Sequence, residues 1–394
     1  MSTNSHSYHR LISQRAKQIS PSGIRKFFDL IASMEGVISL GVGEPDFATP
    51  WHIREAAIYS LEKGYTMYTS NLGMPELRQE LSRYLRESYN LVYSPDKEIL
   101  ITVGVSEALD LATRAILNPG DEVIMPDPCY VSYNPCVVLA GGSPVMVPTN
   151  QENNFEIRAG DIEARVSNKT KAILIGYPAN PTGAVLSRDK LAQIAEVARR
   201  HRLLVISDEI YAKLVYGVEH TCFATLPKMK EDTILLGGFS KAHAMTGWRI
   251  GYAAANEEII NSMNKIHQYT MLCAPIMGQI AAIEALRAGE ASITEMVEEY
   301  NQRRRVIVKG LNDIGLSCFE PRGAFYAFPS IKVTGMTSDE FAERLLTEEK
   351  VAVVAGTAFG ECGEGYVRCC YATSLADIEE ALSRMKRFVN KHKK

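Results

Sequence analysis

Short apolar runs alternate with helical patterns through most of this chain. The runs fall at residues 99–103, 122–126, 172–175, 203–207, 233–236 and 250–254, and the stretches between them carry apolar residues at helical spacing. That alternation predicts βαβ units around a mostly parallel central sheet flanked by helices. Ahead of it, Ser20-Pro21 opens a helical pattern with Ile24, Phe27, Phe28 and Ile31 on one face, and Gly36 ends it. Residues 37–40 then read as a short strand running into Gly41-Val42-Gly43-Glu44-Pro45-Asp46-Phe47. Mixed patterns resume near residue 296 and end in a helix expected over 376–390. The expected layout is α/β, with a large domain over 48–290. A smaller α+β domain is assembled from 1–47 and 291–394.

Composition bounds the function. At 394 residues the chain has room for two domains, and a chain of this size buries about 75% of its extended surface. A net charge of −3 lacks the basic stripe of a nucleic-acid binder. The one basic run, Lys386-Arg387 with Lys391-His392-Lys393-Lys394, suits a helix C-terminus or a solvated tail. Eight cysteines show no C-x-x-C pair and no zinc-like spacing, so they read as reduced thiols, with no metal site. The first twenty residues lack the apolar stretch of a signal peptide, and no run approaches a membrane span of ~20 residues. A soluble, cytoplasmic protein is expected, with no nucleic-acid or membrane partner.

In open α/β sheets ligands bind beyond the carboxyl ends of the strands, and the chemistry-bearing residues cluster there. The run at 233–236 leads into Gly237-Gly238-Phe239-Ser240-Lys241, with Arg249 eight residues after the lysine. A lysine just inside a core loses basicity and becomes a nucleophile toward a carbonyl carbon. A nearby arginine among glycines suits a phosphate. Together they suggest pyridoxal phosphate; the alternative is a surface lysine and arginine flanking a turn. Gly104-Val105-Ser106, where a strand gives way to a helix, is a second anion site, because first-turn amides are free. No G-x-G-x-x-G joins an early strand to a helix and no P-loop is present, which argues against a nucleotide-binding dehydrogenase.

With Gly43-Glu44-Pro45-Asp46-Phe47, Asn180-Pro181-Thr182-Gly183, Asp208-Glu209-Ile210-Tyr211 and Ser240-Lys241 in this order, the chain resembles class I pyridoxal-phosphate aminotransferases. The likeness runs from about residue 15 to 390 and is nearest the bacterial and archaeal aspartate and aromatic branch. It implies the fold-type I architecture, pyridoxal 5'-phosphate as cofactor, and a homodimer with shared active sites. It also implies that Lys241 is joined to the cofactor aldehyde and later shuttles the substrate proton. Asp208 matches the carboxylate that keeps the pyridine nitrogen protonated; read alone, it could instead cap a helix. Tyr211 and Asn180 match donors to the cofactor phenolic oxygen. Ser240, Arg249 and the amides of Val105 and Ser106 match the phosphate site, and Tyr68 a tyrosine reaching the partner subunit's phosphate. Tyr130 matches an aromatic ring over the cofactor and beside the substrate. Arg368 matches the arginine for the substrate α-carboxylate, with Gly43 and Asn180 beside it. The bonds Asp127–Pro128 and Asn180–Pro181 are expected to be cis.

Substrate choice is less sharply written. Residues 262–278, where the resemblance would place a partner-subunit arginine for an acidic side chain, contain no arginine. Arg114 is the substitute cation, while Ile24, Tyr130 and Phe359 could line a pocket for an aromatic or branched side chain. The expected activity is ping-pong transfer of an amino group from an L-amino acid, aspartate or aromatic, to a 2-oxo acid such as 2-oxoglutarate. The alternative is a carbon–sulfur β-lyase of the same fold.

Overall fold

The computed structural model describes residues 11–19, 21 and 34–393. The apolar face Ile24, Phe27, Phe28 and Ile31 therefore lies outside the described residues. A short strand β1 (Ile38–Ser39) precedes seven strands that form one sheet: β2 (Ile99–Thr102), β3 (Glu122–Asp127), β4 (Ser143–Pro148), β5 (Thr170–Ile175), β6 (Leu204–Asp208), β7 (Thr233–Gly238) and β8 (Gly251–Ala254). They lie side by side as β2-β8-β7-β6-β5-β3-β4, all parallel except β8, which runs against both neighbours.

Alternation along the strands sends side chains to two covered faces. Leu100, Leu174, Ile206 and Leu236 share a core with the helices Gly104–Ile116 and Glu257–Thr270. Their neighbours Ile99, Ile101 and Leu235 meet the helices Pro75–Tyr89 and Ile276–Ala288 on the other face, where Ile173 and Val205 meet Arg188–His201. Burial on both sides is why these strands read as unbroken apolar runs. Each buried Leu or Ile contributes about 1.5–3 kcal/mol. The helix Pro75–Tyr89 shows how sequence sets such an element. Proline opens it, Leu77, Leu81 and Leu85 repeat every fourth residue on the buried side, and Asn90 closes it in the left-handed region.

Within the seven-stranded sheet, expected strands and observed ones agree to within about two residues, with one omission. β4 was not expected from its sequence. It is an edge strand bearing Pro144 and Pro148, mostly half-exposed, so it lacks the apolar signal of its neighbours.

The rest of the chain builds a second layer. β9 (Tyr326–Ala327), β10 (Val351–Ala352), β11 (Val354–Ala355) and β12 (Val367–Cys370) follow, and β11-β12-β9 form an antiparallel sheet. β10 instead pairs in parallel with β1, and Leu40 is buried with Tyr300, Phe341 and Phe388. The glycine-rich loop after β1 is tied down by Asp46, whose carboxylate accepts from Arg303 at 2.8 Å. The last helix spans Leu375–His392, capped by Ser374 and ending with Lys391 and His392 in its final turn. All eight cysteines are free thiols. Among the described residues, no helix is long and apolar enough to cross a membrane.

Candidate active site

Eleven of the twelve residues that the sequence assigns to the cofactor, to catalysis or to the substrate carboxylate line a single cavity of about 730 Å³ at the carboxyl ends of the parallel strands. They are Gly43, Val105, Ser106, Tyr130, Asn180, Asp208, Tyr211, Ser240, Lys241, Arg249 and Arg368. Tyr68 stands apart, 84% exposed on the surface of the single chain. A larger groove of about 1210 Å³ runs past Glu87, Arg188, Glu219 and Arg322 and contains none of the twelve.

Asp208 is the last residue of β6 and is buried. Its Oδ2 accepts from the Tyr133 hydroxyl at 2.9 Å and its Oδ1 from the Ile210 amide at 3.2 Å. Burial outweighs both bonds and raises the carboxyl to about 6. Tyr133 was not foreseen. It reaches Asp208 because residue 176 is glycine: a β-carbon there would lie 2.0 Å from the Tyr133 hydroxyl oxygen.

Lys241 follows β7 and donates from Nζ to the Gly43 carbonyl at 2.6 Å. Burial lowers its amine to about 8, with Arg368 and Arg249 pushing the same way. Near it the Tyr211 and Tyr326 hydroxyls meet at 2.7 Å. Burial holds the Tyr211 phenol well above its ordinary range. Tyr326 was the second residue missed. Its hydroxyl fills the space a side chain at Gly43 would need, 2.6 Å from the β-carbon position.

At the other end, β2 gives way to the helix Gly104–Ile116, whose first amides have no partner within the helix. Arg249 lies over this turn. Gly104 has φ +74° and leaves 2.5 Å between a would-be β-carbon and the guanidinium, so only glycine fits. Gly251 likewise brings β8 against the backbone of Gly104 and Val105. Gly238 faces the same turn, where a β-carbon would meet the Val105 side chain at 3.0 Å.

Arg368, on β12, is 3% exposed, and its side-chain partners among the described residues are neutral. It donates to Asn180 Oδ1 at 3.0 Å and to the Gly41 carbonyl at 2.6 Å, and its Nε is buried without a partner among the described residues. The rings of Tyr326 and Phe359 hold the guanidinium plane, 4.5 and 4.9 Å from its centre. The bonds Asp127–Pro128 and Asn180–Pro181 are cis, and so is Tyr177–Pro178.

One expectation is corrected. Arg114 does not line the cavity; it pairs with Asp110 one turn back on the helix surface. Eight residues beyond Ser106 it stands about 12 Å further along the axis, out of reach of the cavity. Ile24 lies outside the described residues.

Residues 35–385 match the family described as aminotransferase class I and II. The chain belongs to that family. The aspartate aminotransferase of Pyrococcus abyssi is 47% identical over 97% of this chain and 99% of its own. The Bacillus subtilis protein YugH is 59% identical over 96% of this chain and 98% of its own. The crystal structure of the aromatic aminotransferase from Pyrococcus horikoshii superposes with a TM-score of 0.89 at 44% identity, covering 93% and 99% of the two chains. The chain is thus a fold-type I aminotransferase that uses pyridoxal phosphate, and these relatives give the lyase alternative no support.

The cavity suits that cofactor by its own chemistry. It offers one amine of lowered basicity, a buried carboxylate, a pair of phenols, and an arginine over free helix amides, in a volume usual for a ligand of that size. A consequence concerns pH. Only the neutral amine attacks an aldehyde, so the rate at which cofactor-free protein recombines with pyridoxal phosphate should rise about tenfold per pH unit toward 8 and then level off. Stopped-flow absorbance across pH 6.5–10 checks this, and a rise continuing to the ordinary lysine range would contradict it.

Proposed function

We propose that this aminotransferase moves the amino group of an aspartate or aromatic L-amino acid to a 2-oxo acid such as 2-oxoglutarate, by a ping-pong mechanism. The observation that carries the proposal is Arg368: a guanidinium that lines the cavity, is held only by neutral acceptors, and pairs with no carboxylate among the described residues. A carboxylate offers two parallel acceptors to such a group, and both substrate classes carry one.

Bound pyridoxal phosphate supplies the electron sink for the bond broken at the substrate α-carbon. Lys241 would hold the cofactor, and its Nζ, of lowered basicity, would carry the proton to and from the substrate α-carbon. Asp208 holds the proton on the pyridine nitrogen, and Tyr133 keeps its carboxylate aimed. Tyr211 and Asn180 donate to the phenolic oxygen, with Tyr326 orienting Tyr211. Arg249, Ser240 and the amides of Val105 and Ser106 would hold the phosphate, Tyr130 would cover the ring, and the Gly43 backbone would contact the substrate carboxylate.

The large domain is taken as 48–290, with 1–47 and 291–394 forming the smaller one. The working form is a homodimer: Trp51, Tyr59, Met67, Tyr68, Tyr269 and Met271 leave large apolar surfaces in water on the single chain. In such a dimer the exposed Tyr68 would serve a second copy's site. Eight unpaired thiols suit a reducing cytoplasm.

Relatives are named for both aspartate and aromatic substrates. Residues 262–278 lack an arginine and Arg114 is engaged with Asp110, whereas Tyr130 and Phe359 offer ring surfaces near Arg368. Turnover of aspartate, tyrosine, phenylalanine and branched donors against 2-oxoglutarate is the test. Turnover of at least one donor class is expected. Pyruvate and ammonia from cystathionine without an acceptor, and no transamination, would overturn the proposal.

A further inference from the structure

Behind the phosphate end of the cavity lies a buried pair that no step above uses. Glu107 sits in the first turn of the helix Gly104–Ile116, and His267 near the end of the helix Glu257–Thr270. His267 is fully buried, and its Nδ1 faces Glu107 Oε1 at 2.7 Å. Its other ring nitrogen, Nε2, is buried with no partner among the described residues. The second oxygen of Glu107 turns back and accepts the Val103 amide at 2.5 Å, at the junction between β2 and the helix. One carboxylate thus clamps the turn that presents the Val105 and Ser106 amides, and one histidine fixes that carboxylate from across 160 residues.

A buried, ionisable pair is rarely the most stable filling for a core, since apolar residues of equal volume often do as well. Its presence here has a reason in geometry. The turn it clamps is crowded on its other sides: Arg249 rests on Gly104, and Gly251 abuts the backbone of Gly104 and Val105. A small rotation of that turn would re-aim the free amides and the arginine together.

We propose that Glu107 and His267 are positioning residues that preset the phosphate cradle. Neither touches the cofactor; they act through the Val103 amide on the direction of the amides that follow. The inference rests on the cofactor reading above and goes beyond it, in assigning affinity for the phosphate group to a pair outside the cavity.

The experiment uses cofactor-free full-length protein titrated with pyridoxal phosphate, and separately with pyridoxal, which lacks the phosphate, followed by absorbance. Glu107→Ala and His267→Leu should weaken pyridoxal phosphate roughly tenfold, the usual scale for a lost charge-assisted hydrogen bond. Affinity for pyridoxal should stay within twofold of the parent. Inhibition of recombination by inorganic phosphate should weaken in parallel. His267→Asn, whose amide can stand in for Nδ1, should restore most of the loss, and Glu107→Gln, which keeps an acceptor for the Val103 amide, should fall between. Equal weakening of both ligands, or unchanged pyridoxal phosphate affinity in folded variants, would overturn the proposal. If the alanine and leucine variants do not fold, the Asn and Gln pair alone decides it, by whether Glu107→Gln separates the two ligands. Failure of the parent protein to bind pyridoxal phosphate would instead refute the cofactor reading.

Discussion

Replacing Lys241 with alanine is expected to lower transaminase turnover by roughly four orders of magnitude or more, the scale set by losing a nucleophile that also serves as the proton carrier. The cavity itself should survive. Lys241 makes one hydrogen bond, to the Gly43 carbonyl, and Tyr326 already occupies the space beside that glycine. The variant should therefore keep its melting behaviour and far-ultraviolet spectrum while losing the visible absorption of the lysine-linked cofactor. Borohydride reduction of the parent followed by peptide mapping should place the label on Lys241. A label elsewhere, or a variant with more than about a hundredth of parental turnover, would remove Lys241 from the role given it here.

A second large effect is expected at Asp208. Asparagine keeps the shape and can still meet the Tyr133 hydroxyl, yet it cannot hold a proton on the pyridine nitrogen. Turnover should drop about 10²–10⁴-fold, the range for a misplaced acid–base partner, with a much smaller change in KM. The direction of the pH effect follows from the buried carboxyl at about 6. Above that value Asp208 is charged and attracts the cationic ring; below it the carboxyl is neutral and the attraction is lost. Cofactor affinity of the cofactor-free parent should therefore weaken as pH falls through 6. The asparagine variant should show a smaller step, the part left by the cofactor phosphate, whose second ionisation also lies at about 6. Equilibrium titrations at pH 5 and 7.5 on both proteins read this directly.

Much of this architecture was legible in the residues alone because both faces of the sheet are covered. Strands such as β2 and β6 are then continuous apolar words, and the motifs that follow them fall at the strand ends by construction. β4 escaped because an edge strand with two prolines carries no such word. Tyr133 and Tyr326 escaped for a different reason. Each matters through a hydroxyl contact with a residue 75 or 115 positions away, and a tyrosine in a sequence does not announce its partner. The signal that could have helped is glycine: Gly176 and Gly43 mark places where another side chain must enter. Arg114 was misread because a helix residue's direction depends on which side of the helix meets the sheet, and a count of residues after an anion site does not give that.

Lys241, Arg249 and Arg368 face one cavity, and none of them has a carboxylate within ion-pair reach among the described residues. Without its coenzyme the folded chain keeps three basic side chains against the two carboxylates of Glu44 and Asp208 around one cavity, an imbalance that a docking dianion offsets. The same vacancy that makes the protein a good receptor thus makes its empty form fragile, and abundance in a cell short of vitamin should fall with supply.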